Sequence, residues 1–451
     1  MPPTTSSRTD LPAALLLLAA VLVAYANAMH GPFQFDDYNV IVNNEAAHGF
    51  SAWSQEMPGI RPLLKLSYVA SWATELGAVG FHTVNIALHF FNALLVFCIS
   101  RRLLALLQSP HAAIFVTAMI TALIFTLHPA QTEAVTYISG RSVSLMATFT
   151  LASLLAWLKT QDSEYPIAWR MASALLFAAA LATKENAWVL PLALLLCDML
   201  RHDFSWRMFL RKSAAHWLIL TGLVLAVFSV SSYWHLLMGS LKARTLAENL
   251  LAQIDGVFYL ITQPLLTLTL NIDPHFTVTK AVTWPLAIKA LVLAEILASA
   301  IVWWRKSRNL HWISFGILWF FVWLLPTNSI LPRTDVANDR QLYLALIGPA
   351  LIIGVLLGKL PVWHRTTLTA ALLLVLGIST TLRNEDYRSE VALWEATATR
   401  SAGKARVWNN LGYARQEAGD FAGARAAWQQ ALVLDANQWR AKNNLQMLEF
   451  R

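Results

Sequence analysis

Apolar runs long enough to cross a bilayer, about 20 residues each, recur from residue 11 to residue 381, with short polar segments between them. The pattern predicts membrane-spanning helices near 11–28, 82–99, 112–127, 142–158, 168–183, 187–200, 214–231, 286–304, 311–326, 341–358 and 364–381, about eleven in all. With the N-terminus on the cytoplasmic side, the basic loops at Arg101 and Arg102, Lys159 and Arg170, Arg201 to Lys212, Arg305 to Arg308, and Lys359 and Arg365 are cytoplasmic. That is the side where Lys and Arg accumulate. The segment 256–271 is apolar, but Pro264 interrupts it. Counting it as a span moves Arg305–Arg308 outside, so it reads as a re-entrant or surface-lying helix.

This topology sends the polar segments 29–80, 128–141, 184–186, 232–285 and 327–340 to the outer side. They bring Asp36, Asp37, His128, Glu133, Arg141, Lys184, Glu185, Asp339 and Arg340 to one face of the bundle. Each alone is an ordinary loop residue or snorkelling anchor. Convergence on one face points instead to chemistry at the membrane surface. The centre of that face is Phe33–Asn44, FQFDDYNVIVNN, with adjacent carboxylates at Asp36 and Asp37. Beside apolar walls, acidic residues are costly to desolvate. Such a pair raises its own pKa values and brings one carboxylate nearer to a useful general base.

His82, Asn85, His89 and Asn92 form one stripe of the second span, at spacings of three and four. No Cys or carboxylate joins them at metal-ligand spacing, so the stripe reads as interhelical hydrogen bonding. His82 stays a site candidate because it borders the outer loop.

Composition agrees with the pattern. The chain is 57% hydrophobic and 13% charged, against about 25% charged in soluble domains. The net charge of +8 belongs to the topology-setting loops and implies no nucleic acid. Cys98 and Cys197 lie inside apolar runs and read as buried hydrophobes, with no disulfide framework. No metal or other cofactor is expected, and metal dependence stays open.

After residue 382 the long apolar runs stop. Trp408, Leu411, Gly412, Ala424, Trp428 and Ala431 follow the tetratricopeptide spacing. Trp394 precedes Trp428 by one repeat length and Leu445 follows Leu411 by the same interval. The chain therefore divides into a transmembrane domain, 1–382, and a short repeat domain, 383–451. Fewer than three repeats is marginal for independent stability, so the repeat must dock on the membrane part or on a second copy.

The order of motifs resembles the family of transmembrane and tetratricopeptide-repeat glycosyltransferases, whose eukaryotic members are protein O-mannosyltransferases of the GT-C fold. The matching stretches are FQFDDYNVIVNN, RPLLKLSYVA, FHTVNIALHFFN, HPAQTEAVTYISGR, LATKENAWVLPLALLLCD and PTNSILPRTDVANDRQLYLALIG, followed by the repeat. The family usually carries longer repeat arrays, and Asp339 stands where Glu is expected before Arg340. The resemblance favours an uncleaved first span over a signal peptide ending near Ala26–Ala28. It implies an all-α polytopic enzyme that moves a sugar from a polyprenyl-phosphate donor to a hydroxyl on the outer face, with inversion. Asp36 or Asp37 would be the general base. Lys184 and Arg340, with Arg141 behind them, would hold the donor phosphate. Further candidates are His128, Glu133, Glu185, His82 and Asp339. The implied partners are the lipid-linked donor, an acceptor protein or glycan, membrane lipids, and a protein partner or second copy at the repeat. The implied location is a bacterial inner membrane, with the site and the C-terminal repeat domain facing the periplasm. Alternatives are a lipid- or glycan-directed transferase of the same fold, a non-catalytic scaffold that recruits partners through its repeat, and a transporter. The last lacks internal symmetry and a mid-span carboxylate pair.

Overall fold

The computed structural model describes residues 7–57, 59–107 and 111–449, and among them every regular element is helical. The chain opens with α1 (Ser7–Tyr25), then α2 (Pro62–Trp72) in the first polar loop, α3 (Gly77–Leu106) and α4 (His111–Leu127). Next come α5 (Arg141–Lys159), α6 (Pro166–Thr183), α7 (Leu190–Asp198), α8 (Ala214–Ser229) and α9 (Leu246–Thr262). The membrane part closes with α10 (Trp284–Lys306), α11 (His311–Leu324), α12 (Ile347–Gly358) and α13 (Val362–Glu385). The tail holds α14 (Glu390–Arg400), α15 (Ala405–Glu417), α16 (Phe421–Leu434) and α17 (Trp439–Glu449).

Among the described residues, six helices are long and apolar enough to cross a membrane, and up to nine if each of three bent helix pairs counts as one span. The chain is an integral membrane protein. Every expected span meets a helix, but two of those helices are too short. The stretch at 187–200 begins as a 3₁₀ turn, Glu185–Val189, which leaves α7 nine residues long. Helix α11 has 14 residues and stops short of Pro326. Helix lengths therefore do not establish a count of eleven. Segment 256–271 is not among the spanning helices. Its helix, α9, starts earlier than expected, at a Thr245–Glu248 capping box. It ends just before Pro264, as the steric demand of proline on the preceding residue requires.

The polar stripe of α3 bonds across helices. Asn85 Nδ2 donates to the carbonyls of Val135 and Ile138, both at 3.2 Å. His89 meets the Tyr343 hydroxyl at 2.8 Å and the Thr126 carbonyl at 3.1 Å. Asn92 Nδ2 donates to the Ser144 carbonyl and the Tyr343 hydroxyl, each at 2.9 Å. These bonds fix α3, α4, α5 and the segment before α12 in one frame. Helices α11 and α12 touch backbone to backbone, since a Cβ on Gly348 would lie 2.2 Å from the Gly316 carbonyl oxygen. Small residues permit that approach.

In the tail, α15 packs on α16 through the fully buried Trp428, whose Nε1 donates to the Asn409 carbonyl at 3.0 Å. A Cβ on Gly412 would lie 2.4 Å from Trp428 Nε1. Gly412→Ala is expected to destabilise the tail by about 1–3 kcal/mol through overpacking. Proteolytic nicking after residue 400 at a lower temperature than in the parent would show it, and unchanged nicking would exclude it.

The tail docks on the membrane part, as so short a repeat requires. Phe35 meets Trp394 edge to face at 5.0 Å between ring centroids. Lys404 pairs with Asp273 at 2.5 Å and Arg406 with Asp335 at 2.6 Å. Ser401 is buried between Asn271 and the Asp273 carbonyl.

Candidate active site

The first outer loop turns sharply at Phe35, a non-glycine residue in the left-handed region (φ 49°). Such conformations are strained and persist where neighbours over-determine them. Asp37 does much of that work. Its Oδ2 accepts from the Gln34 backbone N–H at 2.9 Å, and its Oδ1 accepts from the Ser139 N–H at 2.8 Å and from the Ser139 hydroxyl. The carboxyl is 1% exposed. Burial pushes its pKa up to about 7 despite those three donors. Asp37 thus ties the loop to the segment before α5.

Asp36 is placed differently. Its backbone N–H donates to the Tyr137 hydroxyl at 3.0 Å. Among the described residues no hydrogen bond reaches its carboxylate. That group borders a cavity of about 160 Å³, shared with Glu133, Tyr137, Asp335, Arg340 and Arg406. Burial raises the pKa of Asp36, while the Arg340 and Arg406 cations oppose the rise. The repulsion expected from the sequence is present at Asp37, where the Asp36 charge adds to the rise. Burial is the larger cause for both carboxylates.

Arg340 connects this cavity to a second space. Its backbone N–H donates to Glu133 Oε2 at 2.8 Å, and its Nε lies 3.4 Å from Glu133 Oε1. Both residues belong to short legs of bent helix pairs: Pro129–Val135 follows α4 at 54°, and Asp339–Ala345 precedes α12 at 54°. The breaks put polar groups at the top of otherwise apolar helices. The second space is a narrow cleft lined by Lys184, Arg333 and Arg340 together with Val143, Met146, Trp323 and Leu344. Lys184 is 6% exposed and contacts the Ser142 hydroxyl at 3.1 Å. Glu185 does not neutralise it, because Glu185 pairs with Arg61 (Nε to Oε2, 2.9 Å). Among the described residues neither Lys184 nor Arg333 has a carboxylate partner. Burial, then the Arg340 and Arg61 cations, push the Lys184 ammonium well below its ordinary pKa. A bound anion would reverse that shift. In the same cleft Trp323 Nε1, Asn338 Oδ1 and both amide atoms of Gln341 are buried without a hydrogen-bond partner. Buried polar groups in that state are rare, and here they line a narrow cleft of about 30 Å³.

Other sequence candidates lie elsewhere. Arg141 is fully buried. Its guanidinium donates to Asn85 Oδ1 (2.7 Å), the Ser67 carbonyl (2.9 Å), the Ser71 hydroxyl (2.8 Å) and the Phe81 carbonyl (2.9 Å). It lines neither space, so the expected phosphate role behind Lys184 is corrected to a brace between α2 and α3. His128 accepts from the Ala130 N–H at 3.1 Å and meets the Pro264 carbonyl at 3.2 Å. His82 meets the Gly31 carbonyl at 2.9 Å. Asp339 accepts from the Tyr259 hydroxyl at 2.8 Å and from the Asn271 N–H. These three hold segments in place. Sequence reading missed Arg333, Tyr137 and Gln341 as site residues, although all three lie within the motif stretches already singled out. Among the described residues no three His, Cys, Asp or Glu side chains group as a metal site.

No family model matches the chain. Protein O-mannosyl-transferase F38B6.6 of Caenorhabditis elegans is 23% identical over 453 residues, covering 93% of this chain and 62% of that protein. Protein O-mannosyl-transferase Tmtc3 of Drosophila melanogaster is 23% identical over 534 residues, covering 98% and 57%. Protein O-mannosyl-transferase TMTC3 of Mus musculus is 28% identical over 184 residues, covering 37% and 19%. This chain thus spans less than two thirds of the length of each. The resemblance carried by the six motifs is borne out, since homologues of this chain are named protein O-mannosyl-transferases. The three relatives named above are animal proteins, so they lend nothing to the expected bacterial membrane or periplasmic orientation.

Proposed function

We propose that this chain is a membrane glycosyltransferase that moves a sugar, mannose by the names of its relatives, from a polyprenyl-phosphate carrier to a Ser or Thr hydroxyl of a protein. The observation that carries the reading is the position of Arg340. It lines both the cavity with the open Asp36 carboxylate and the cleft with the unpaired cations Lys184 and Arg333. Base and anion site therefore adjoin at one residue. In this mechanism Asp36 takes the proton from the acceptor hydroxyl. The oxygen forms a bond to the anomeric carbon as the bond from that carbon to the phosphate oxygen breaks, with inversion. Polyprenyl phosphate leaves with the bonding pair. Lys184, Arg333 and Arg340 stabilise its growing charge in a site poor in water, where fixed cations act strongly. The apolar residues of the cleft suit the first isoprene units. The unpartnered amides of Asn338 and Gln341 suit sugar hydroxyls. No cofactor is assigned a step.

The decisive assay supplies purified protein with a mannosyl-phosphoryl polyprenol and a Ser/Thr-rich acceptor peptide. Donor consumption coupled to peptide glycosylation is expected. A protein that leaves the donor intact under all acceptor conditions is a scaffold or transporter.

The site and tail are proposed to face the non-cytoplasmic side. Ser51 and Ala402 are exposed, whereas Ser401 is buried. In a background without Cys98 and Cys197, Ser51→Cys and Ala402→Cys should both react with an impermeant maleimide added from outside. Labelling at neither position would invert the topology.

A further inference from the structure

A third, larger space opens beside Phe35, next to the Asp36 cavity. It is a groove of about 720 Å³ with one wall from the first outer loop and the other from α15 and α17 of the tail. The tail wall has a regular feature that the transfer mechanism leaves unused. Asn409 and Asn410 recur as Asn443 and Asn444, 34 residues later, and all four line the groove. That interval is one repeat length, so the two asparagine pairs occupy the same helical position in successive units. Asn409 and Asn444 bond to each other at 3.3 Å, and Asn409 also donates to Asn410 at 3.2 Å. Among the described residues no hydrogen bond engages the side-chain NH₂ of Asn410 or either amide atom of Asn443. The side-chain amides of Asn39 and Asn43, on the opposite wall, are likewise unengaged and exposed.

We infer that this groove receives the acceptor as an extended polypeptide, its backbone held by asparagine amides from both walls and its Ser or Thr passed over Phe35 to Asp36. The inference rests on the transferase reading above and names the binding surface for its acceptor. Each asparagine amide offers a donor and an acceptor together. An extended strand presents N–H and C=O groups along its edges while its side chains alternate between faces. Amides on facing walls therefore grip the chain without reading its sequence. The exposed rings of Tyr38 and Tyr413 offer surface to its side chains. Continuity with the site is direct, because Phe35 lines both the groove and the Asp36 cavity.

The test uses the full chain in detergent with a fluorescent, unstructured Ser/Thr-rich peptide as probe. Asn410→Ala with Asn443→Ala removes two amides whose one bond within the described residues is the contact that Asn410 accepts from Asn409. Tyr38→Ala alters the other wall and leaves the tail untouched. Both variants should weaken peptide binding about tenfold, through one or two lost hydrogen bonds in the asparagine pair and through lost apolar contact area at Tyr38. They should raise the peptide KM to match while kcat and the donor KM stay at parent values. Unchanged peptide affinity and KM in both variants overturn the inference, as does loss of peptide binding to a competing soluble glycan in place of a competing peptide. The two readings fail separately. Groove-dependent peptide binding without sugar transfer ends the transferase reading and leaves the groove standing. Transfer with unchanged peptide KM ends the groove and leaves the transferase standing.

Discussion

Asp36→Asn is expected to lower sugar transfer by about 10²–10⁴-fold, the usual loss when a general base is removed, while the protein folds and binds donor as before. Among the described residues the carboxylate accepts no hydrogen bond, and it borders a cavity, so an isosteric amide disturbs little else. Its pKa is raised by burial, and only the ionised form takes a proton. Transfer should therefore fall as pH drops through a value higher than that of an ordinary aspartate. That acid limb should be missing from the residual activity of Asp36→Asn. Asp37→Asn should behave differently. An amide NH₂ must then face the N–H of Ser139 or of Gln34, which both donate to the carboxylate now. One buried donor loses its acceptor, at about 1–3 kcal/mol, and the loop that carries Asp36 loosens. Thermal unfolding and initial rates measured together separate the two carboxylates. Normal turnover of Asp36→Asn at normal protein level would remove it as the base.

Lys184→Ala and Arg333→Ala are each expected to lower kcat/KM for the lipid-linked donor by about 10–100-fold. That corresponds to a charge-assisted hydrogen bond of about 1.5–3 kcal/mol. Where a cation binds the leaving phosphate more tightly as charge grows, kcat falls along with affinity. Neither residue has a carboxylate partner among the described residues, so neither substitution strands a buried charge. Arg340→Ala is a harsher change. Glu133 is 1% exposed and pairs with Arg340, and a buried ion left without its partner costs about 3–5 kcal/mol. Arg340→Lys should restore folding and only part of the activity, because a forked contact becomes a point contact. Arg141→Ala should unfold the first loop and leave no specific donor defect, since its buried guanidinium holds Asn85, Ser67, Ser71 and Phe81 and lines neither space. Donor titrations against each variant decide this. Parent-like donor kinetics in both Lys184→Ala and Arg333→Ala would leave the cleft without a phosphate.

The sequence by itself determined the helical membrane class, the segments that become helices, the polar loops and the repeat in the tail. These follow from composition and period, and both are local properties of the chain. The stripe from Asn85 to Asn92 was legible for the same reason, because a polar face on an apolar helix must find partners across the bundle. Pairing was not legible. Glu185 adjoins Lys184 in sequence and yet bonds to Arg61. Asp339 adjoins Arg340 and yet bonds to Tyr259, while Arg340 takes Glu133. Asp36 and Asp37 are chemically identical neighbours, and only the left-handed turn at Phe35 sends one into the loop's hydrogen bonds and the other to the cavity. Helix breaks likewise shortened α7 and α11 below spanning length. Tertiary structure decided these matters because ion pairs and hydrogen bonds depend on distance and direction in space. A single turn of backbone redirects both, and no periodicity in the sequence records it.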